Sequence, residues 1–121
     1  MSETSAIDKI RDSRDTALAA LNSSVTAVRK QIQQTTAPNQ EQANRLQNLT
    51  TVRTDIRAAA TEAVLALPEV IAAAAKLNTL ATDMKTVAQA LPNASKVMTT
   101  TATILAFGQQ FLDLFPLPNQ G

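Results

Sequence analysis

The chain contains no cysteine, histidine, tryptophan or tyrosine, and only two glycines and three phenylalanines among 121 residues. Each absence removes a class of chemistry. Without cysteine there is no disulfide and no thiol nucleophile. Without histidine a carboxylate-bridged di-iron bundle cannot be built, because its helices supply a Glu-x-x-His pair, and no serine can be activated by imidazole. Zinc loses both of its preferred ligand types. The only glycines are Gly108 and Gly121, so no glycine-rich phosphate loop exists. Paired carboxylates remain, and Asp55 and Glu62 lie two turns apart, but on a polar face where solvation rather than pKa tuning is expected. The inventory therefore points away from an enzyme and implies no cofactor and no metal.

Charge is lacking in the same sense. Eleven Lys and Arg against ten Asp and Glu leave a formal charge of +1, which provides no long-range field for nucleic acid. The start, Met1-Ser2-Glu3-Thr4-Ser5 followed by Asp8, Lys9, Arg11, Asp12, Arg14 and Asp15, is the reverse of a Sec signal peptide. The longest tempting uncharged stretch, 97–112, has sixteen residues and carries Thr99, Thr100, Thr101, Thr103, Gln109 and Gln110. A membrane span needs roughly 20 mostly apolar residues, so none is expected. A cytoplasmic location is the expectation, with export lacking a Sec signal as the alternative, since absent cysteine is compatible with both.

What the sequence does have is a heptad. Stepping by seven from Leu49 gives Ile56, Ala63, Val70, Leu77, Met84, Leu91, Met98, Leu105 and Leu112; three residues on, a second row carries Val52, Ala59, Ala66, Ala73, Leu80, Val87, Ala94, Thr101, Gly108 and Phe115. No charge enters either row, and such a seam packs helices. A third row, Ala60, Leu67, Ala74, Ala81, Ala88 and Ala102, widens the apolar face beyond what a two-stranded coiled coil needs. Ahead of the seam, Asp55, Glu62, Glu69, Lys76 and Asp83 read as a solvated edge. Between Ala72 and Ala75 the face is thin, which predicts close helix contact or a groove filled by another chain.

Four helical segments are predicted. Ser5 and Asp8 resemble a capping box that starts helix 1, whose later part aligns Leu18, Leu21, Val25, Val28 and Ile32 on one face. Thr35-Thr36-Ala37-Pro38-Asn39 ends it. The second segment runs from about Gln40 to Leu67, the third from Pro68 to Leu91 and the fourth from Asn93 to Phe115. Residues 116–121 form an extended, disordered tail. The heptad keeps phase across Pro68 and Pro92, as a kinked continuous helix would. Two interior prolines at about 3 kcal/mol each argue against that, and Asn93 can cap a new helix. The expected fold is a single all-α domain over 1–121, an antiparallel bundle of four helical segments; a helical hairpin with a long proline-kinked arm is the alternative.

The fourth segment holds the candidate interaction surface. Ile104, Leu105, Leu112 and Phe115 belong to the seam, whereas Phe107, Phe111 and Leu114 form a second stripe. Left exposed, that stripe marks an interaction site; covered, it is core. Arg14 is out of place on the apolar line of helix 1, either snorkelling at a bundle end or forming an interface ion pair. These features predict a non-catalytic helical module that self-associates or docks a partner helix through the seam and the phenylalanine stripe. Two alternatives have less support. One is a bundle that lays its apolar face on a membrane surface, although the polar faces lack Lys and Arg enrichment. The other is an exported helical assembly or secretion component. Nothing in the sequence names the partner or the oligomeric state.

Overall fold

The computed structural model describes residues 3–37 and 39–116, with side chains from residue 5 onward. Helices α1 (Glu3–Gln34), α2 (Gln40–Ala59), α5 (Ala74–Ala88) and α6 (Val97–Asp113) are the four long elements. Two short helices, α3 (Glu62–Leu65) and α4 (Pro68–Ala72), link α2 to α5, and a single 3-10 turn, Ala94–Lys96, precedes α6. Among the described residues there is no strand. The protein is an all-α helical bundle.

The helix ends follow local chemistry where the sequence supplies it. The break at 35–39 falls where threonine and proline predict it, although Pro38 itself lies outside the described residues. Beyond it, the Asn39 side chain accepts from the Gln42 amide at 2.8 Å and the Gln42 side chain accepts from the Asn39 amide at 3.2 Å. This reciprocal capping box satisfies two amides that the first turn would otherwise leave open. Pro68 occupies the first turn of α4 behind an extended Leu67, where its missing N–H costs nothing. It is a helix start and not a kink. Asn93 caps the 3-10 turn by accepting from the Ser95 amide at 3.1 Å.

Three boundaries differ from expectation. Helix α1 begins at Glu3, so Ser5 lies inside the helix and is not its cap. Helix α2 ends at Ala59, eight residues before Leu67. The Pro68–Leu91 segment is interrupted at Ala73, and its second part ends at Ala88. Residues 117–121 of the expected tail lie outside the described residues.

Side-chain contacts fix the directions of the helices. Arg45, early in α2, donates to the Met98 carbonyl and, at 2.9 Å, to Thr101 Oγ1, both early in α6, so α2 and α6 run parallel. Gln31, late in α1, donates to the Ala94 carbonyl at 2.6 Å, which sets α1 antiparallel to α6. Lys85 and Ala88, late in α5, border Ala19, Ala20 and Ser23 of α1, and Leu91 borders Ala27 and Gln31. Helices α1 and α5 are therefore parallel. The order around the bundle is α1, α2, α6, α5, with α1 and α6 also packing across the short diagonal. The α3–α4 link carries the chain over the end of the bundle from α2 to the far side. The chain reverses between α5 and α6, which replaces the long kinked arm by a hairpin.

The seam is only partly the core. Leu49, Val52, Ile56, Ala59, Val70, Leu77, Leu80, Met84 and Leu91 are buried, but Ala63, Ala66 and Ala94 are exposed, and Met98, Leu105 and Leu112 are half-buried. In α6 the buried face comprises Val97, Thr100, Thr101, Ile104, Gly108, Phe111 and Phe115. Its centre is rotated toward the Val97–Ile104–Phe111 row, which is neither of the two rows counted from Leu49, so Ile104 packs with Phe111 rather than in the seam where it is expected. Phase preservation across Pro92 is thus a coincidence of spacing, because a rod would have kept the same face inward. Ala72 and Ala75 are exposed and flank the break at Ala73, so the thin stretch lies at a helix junction.

Gly108 sits on the short diagonal. A β-carbon placed there would stand 3.2 Å from Val52 Cγ1, 3.5 Å from Met84 Cε and 3.6 Å from Leu21 Cδ2, so three helices converge on the missing side chain. Gly108→Ala gains about 1 kcal/mol of helix propensity, yet it presses on a valine whose χ1 is fixed within a helix. The net change in unfolding free energy should stay within about 1 kcal/mol of zero. In a Val52→Ala background, the same substitution should become stabilising by about 1 kcal/mol, as read by urea denaturation.

Candidate functional site

Small residues on α1 and α5 shape a concave surface. Along α1, Ser13, Ala17, Ala20 and Ser24 are buried at steps of three and four. Ser13 and Ser24 bond back to the Lys9 and Ala20 carbonyls at 2.9 Å, so their hydroxyls are satisfied locally and need no partner from α5. Opposite them, Ala74, Ala81 and Ala88 lie on the side of α5 that carries Ala88 against α1. The α1–α5 pairing is the most extensive in the bundle. Short side chains bring the helix axes close and leave a trough along the outside of the pair.

That trough consists of two adjoining hollows that share Ser23 and Ala88, about 730 Å³ and 370 Å³. Ala20, Ala27, Ala88, Leu91 and Val97 give it an apolar floor, and Asn22, Thr26, Gln31 and Gln34 a polar rim. Lys30 stands on the first hollow, Lys85 on the second, and Asp15 at the lower end. Asp15 is already held by Arg14 at 3.1 Å, whereas Lys30 and Lys85 enter no ion pair among the described residues.

The phenylalanine stripe is divided by the fold. Phe111 is completely buried, with its ring centroid 5.5 Å from that of Phe115. Phe107 and Leu114 are half-buried and pack on the same core from one flank, as Leu105 and Leu112 do from the other. The stripe is not an exposed surface at Phe111, because α6 turns the space between its two apolar rows inward.

A charged cluster closes the lower end of the bundle. Glu62, at the start of α3, accepts from Arg11 Nη2 at 2.6 Å and Nε at 3.2 Å, and from Arg14 Nη1 at 3.2 Å. Arg14 Nη1 also donates to the Ala60 carbonyl at 3.1 Å, satisfying an acceptor at the C-terminus of α2. Arg11 binds Asp8 at 2.7 Å. Arg14 thus snorkels to the bundle end and forms an ion pair there. The hydrogen bond from Arg11 holds the Glu62 carboxyl below the usual carboxylate range, helped by the charges of Arg11 and Arg14, while Arg11 is shifted further up. A depressed carboxylate stabilises the folded chain above its unfolded pKa, and that contribution disappears as pH falls through the folded value. Wild type should therefore lose more thermal stability than Glu62→Gln between neutral pH and pH values below about 4. Parallel melting curves in both proteins across that range would test this, and identical slopes would place Glu62 outside the acid response.

Elsewhere, Arg53 donates to Asn22 Oδ1 at 2.9 Å across α1 and α2, while its buried Nε has no partner. Among the described residues no group of three acidic side chains is placed to hold a metal, and no helix is long and apolar enough to cross a membrane. The sequence singled out neither the trough nor Lys30 and Lys85. The signal was the small-residue spacing of α1, which a search for large apolar residues passes over. Comparison with known protein families, curated proteins and solved structures finds no match to this chain.

Proposed function

We propose that this protein is a non-catalytic helical interaction module that self-associates by docking an apolar segment into the α1–α5 trough. The trough itself carries the reading. Its floor is apolar, with α1 along one wall and the end of α5 and its turn into α6 along the other, a shape that accepts an apolar segment in a groove. The buried part of the heptad seam, by contrast, is occupied inside the bundle, and Phe111 is core, so neither is available for docking in the closed fold. Histidine and cysteine are absent, and the charged cluster at the lower end is satisfied internally, so docking accounts for the surface better than catalysis does.

Amide NMR spectra and sedimentation equilibrium over a micromolar to millimolar concentration series test the reading. Concentration-dependent shifts should cluster on Asn22–Gln34 and Lys85–Val97 as the average mass rises. A monomer with concentration-independent spectra would remove self-docking, and shifts confined to the Phe107 and Leu114 flank would move the surface to α6.

A further inference from the structure

The occupant of the trough can be identified from the chain itself. Residues 62–75, the α3–α4 link and the start of α5, contain twelve apolar residues and two acids, Glu62 and Glu69, with no basic residue. Leu65 and Val70 anchor this segment in the core. Ala63, Ala66, Pro68, Ala72 and Ala75 are exposed, and Val64, Leu67 and Ile71 are half-buried. The link therefore presents a run of exposed and half-buried apolar side chains, next to one acid, Glu69, that enters no ion pair among the described residues. The trough offers the converse, an alanine floor under Lys30 and Lys85. Residues 16–39 of α1 and its following turn contain no acid at all.

We infer that the α3–α4 link of one copy docks into the α1–α5 trough of another, with Glu69 meeting Lys30 and Lys85. This rests on the reading of the trough as a self-docking surface and adds the occupant. Link and trough share no residue, so each copy can give and receive at once. The contact is heterologous, and it propagates as an open chain unless the rotation between copies closes a ring. Because all three charges are exposed, added salt weakens the contact by screening.

Charge reversal tests the inference without touching the core. Lys30→Glu with Lys85→Glu places acid at both ends, and Glu69→Lys places base at both ends, so each variant alone should self-associate about tenfold more weakly than wild type at low salt. An equimolar mixture of the two variants pairs every trough with a link of opposite charge. It should recover wild-type association, as should the triple variant carrying all three changes. Photo-cross-linking from position 27 of wild type should yield adducts on residues 62–75. Association that survives reversal, or a mixture no stronger than its parts, overturns the inference. Cross-links from position 27 to another segment of a second copy overturn the occupant while leaving the trough as the docking surface. A wild type that stays monomeric at low salt overturns both.

Discussion

Phe111→Ala should remove about 3 to 5 kcal/mol of stability, while Phe107→Ala, four residues away, should cost well under half of that. Both side chains look alike in the sequence, one turn apart on the same stripe, yet Phe111 has no solvent exposure and Phe107 is half-exposed. Truncation at 111 empties a ring-sized volume beside Phe115. The backbone around it is helical and cannot collapse into the space. For a domain of this length the loss corresponds to a fall in melting temperature of about 10–20 °C. Replacing both phenylalanines with serine should therefore unfold the monomer rather than merely weaken association, because the buried position also acquires a hydroxyl. Circular dichroism melts of the two alanine variants decide the matter. Equal, small losses would mean that α6 is turned away from the core and that its stripe is a surface after all.

Why the sequence misplaces Phe111 is a matter of which face a helix turns inward. Two apolar rows on α6, Leu105 with Leu112 and Phe107 with Leu114, flank a middle line of Val97, Ile104, Gly108, Phe111 and Phe115. A helix in the corner of a four-helix bundle buries an arc, and the arc centres where three neighbours meet. Gly108 marks that centre, since its missing β-carbon faces Leu21, Val52 and Met84 on three other helices. Counting rows by seven from α2 carries the phase of α2 into α6, although the chain has reversed direction twice between them. All-α class, four long helices, the break before Asn39 and the turn at Pro92 were legible because each has a local cause in periodicity, proline or capping.

The end of α2 had no such cause. Ala58, Ala59 and Ala60 are the best helix formers available, and neither glycine nor proline follows before Pro68. Helix α2 nonetheless stops at Ala59, because Arg14 takes the Ala60 carbonyl and Arg11 and Arg14 together take Glu62. A residue 46 positions upstream thus satisfies the end of the helix, and no window of local sequence contains that contact. The candidate docking surface was illegible for a related reason. Lys30 and Lys85 lie 55 residues apart and become neighbours of one trough only because α1 and α5 run parallel. That follows from the link crossing the bundle end instead of making a simple hairpin.

Leu77→Ala should fall at the upper end of the range for buried leucines, about 4 to 5 kcal/mol within a spread of 2 to 5. Leu77 is fully buried on the line Val70–Leu77–Met84–Leu91. Its helical neighbours one turn away are Ala73, Ala74, Leu80 and Ala81, three of them alanines. Cavities shrink when surrounding side chains change rotamer, but alanine has none to change. The same small residues that bring α1 and α5 together therefore leave the hole unrelieved. Leu77→Met keeps the volume with a flexible side chain and should cost less than about 1.5 kcal/mol. Guanidinium unfolding of both variants distinguishes this account from a loosely packed α5. A loss of less than about 2 kcal/mol in the alanine variant would mean that α1 and α5 can move together to fill the space. The trough between them would then be a compliant surface rather than a preformed one.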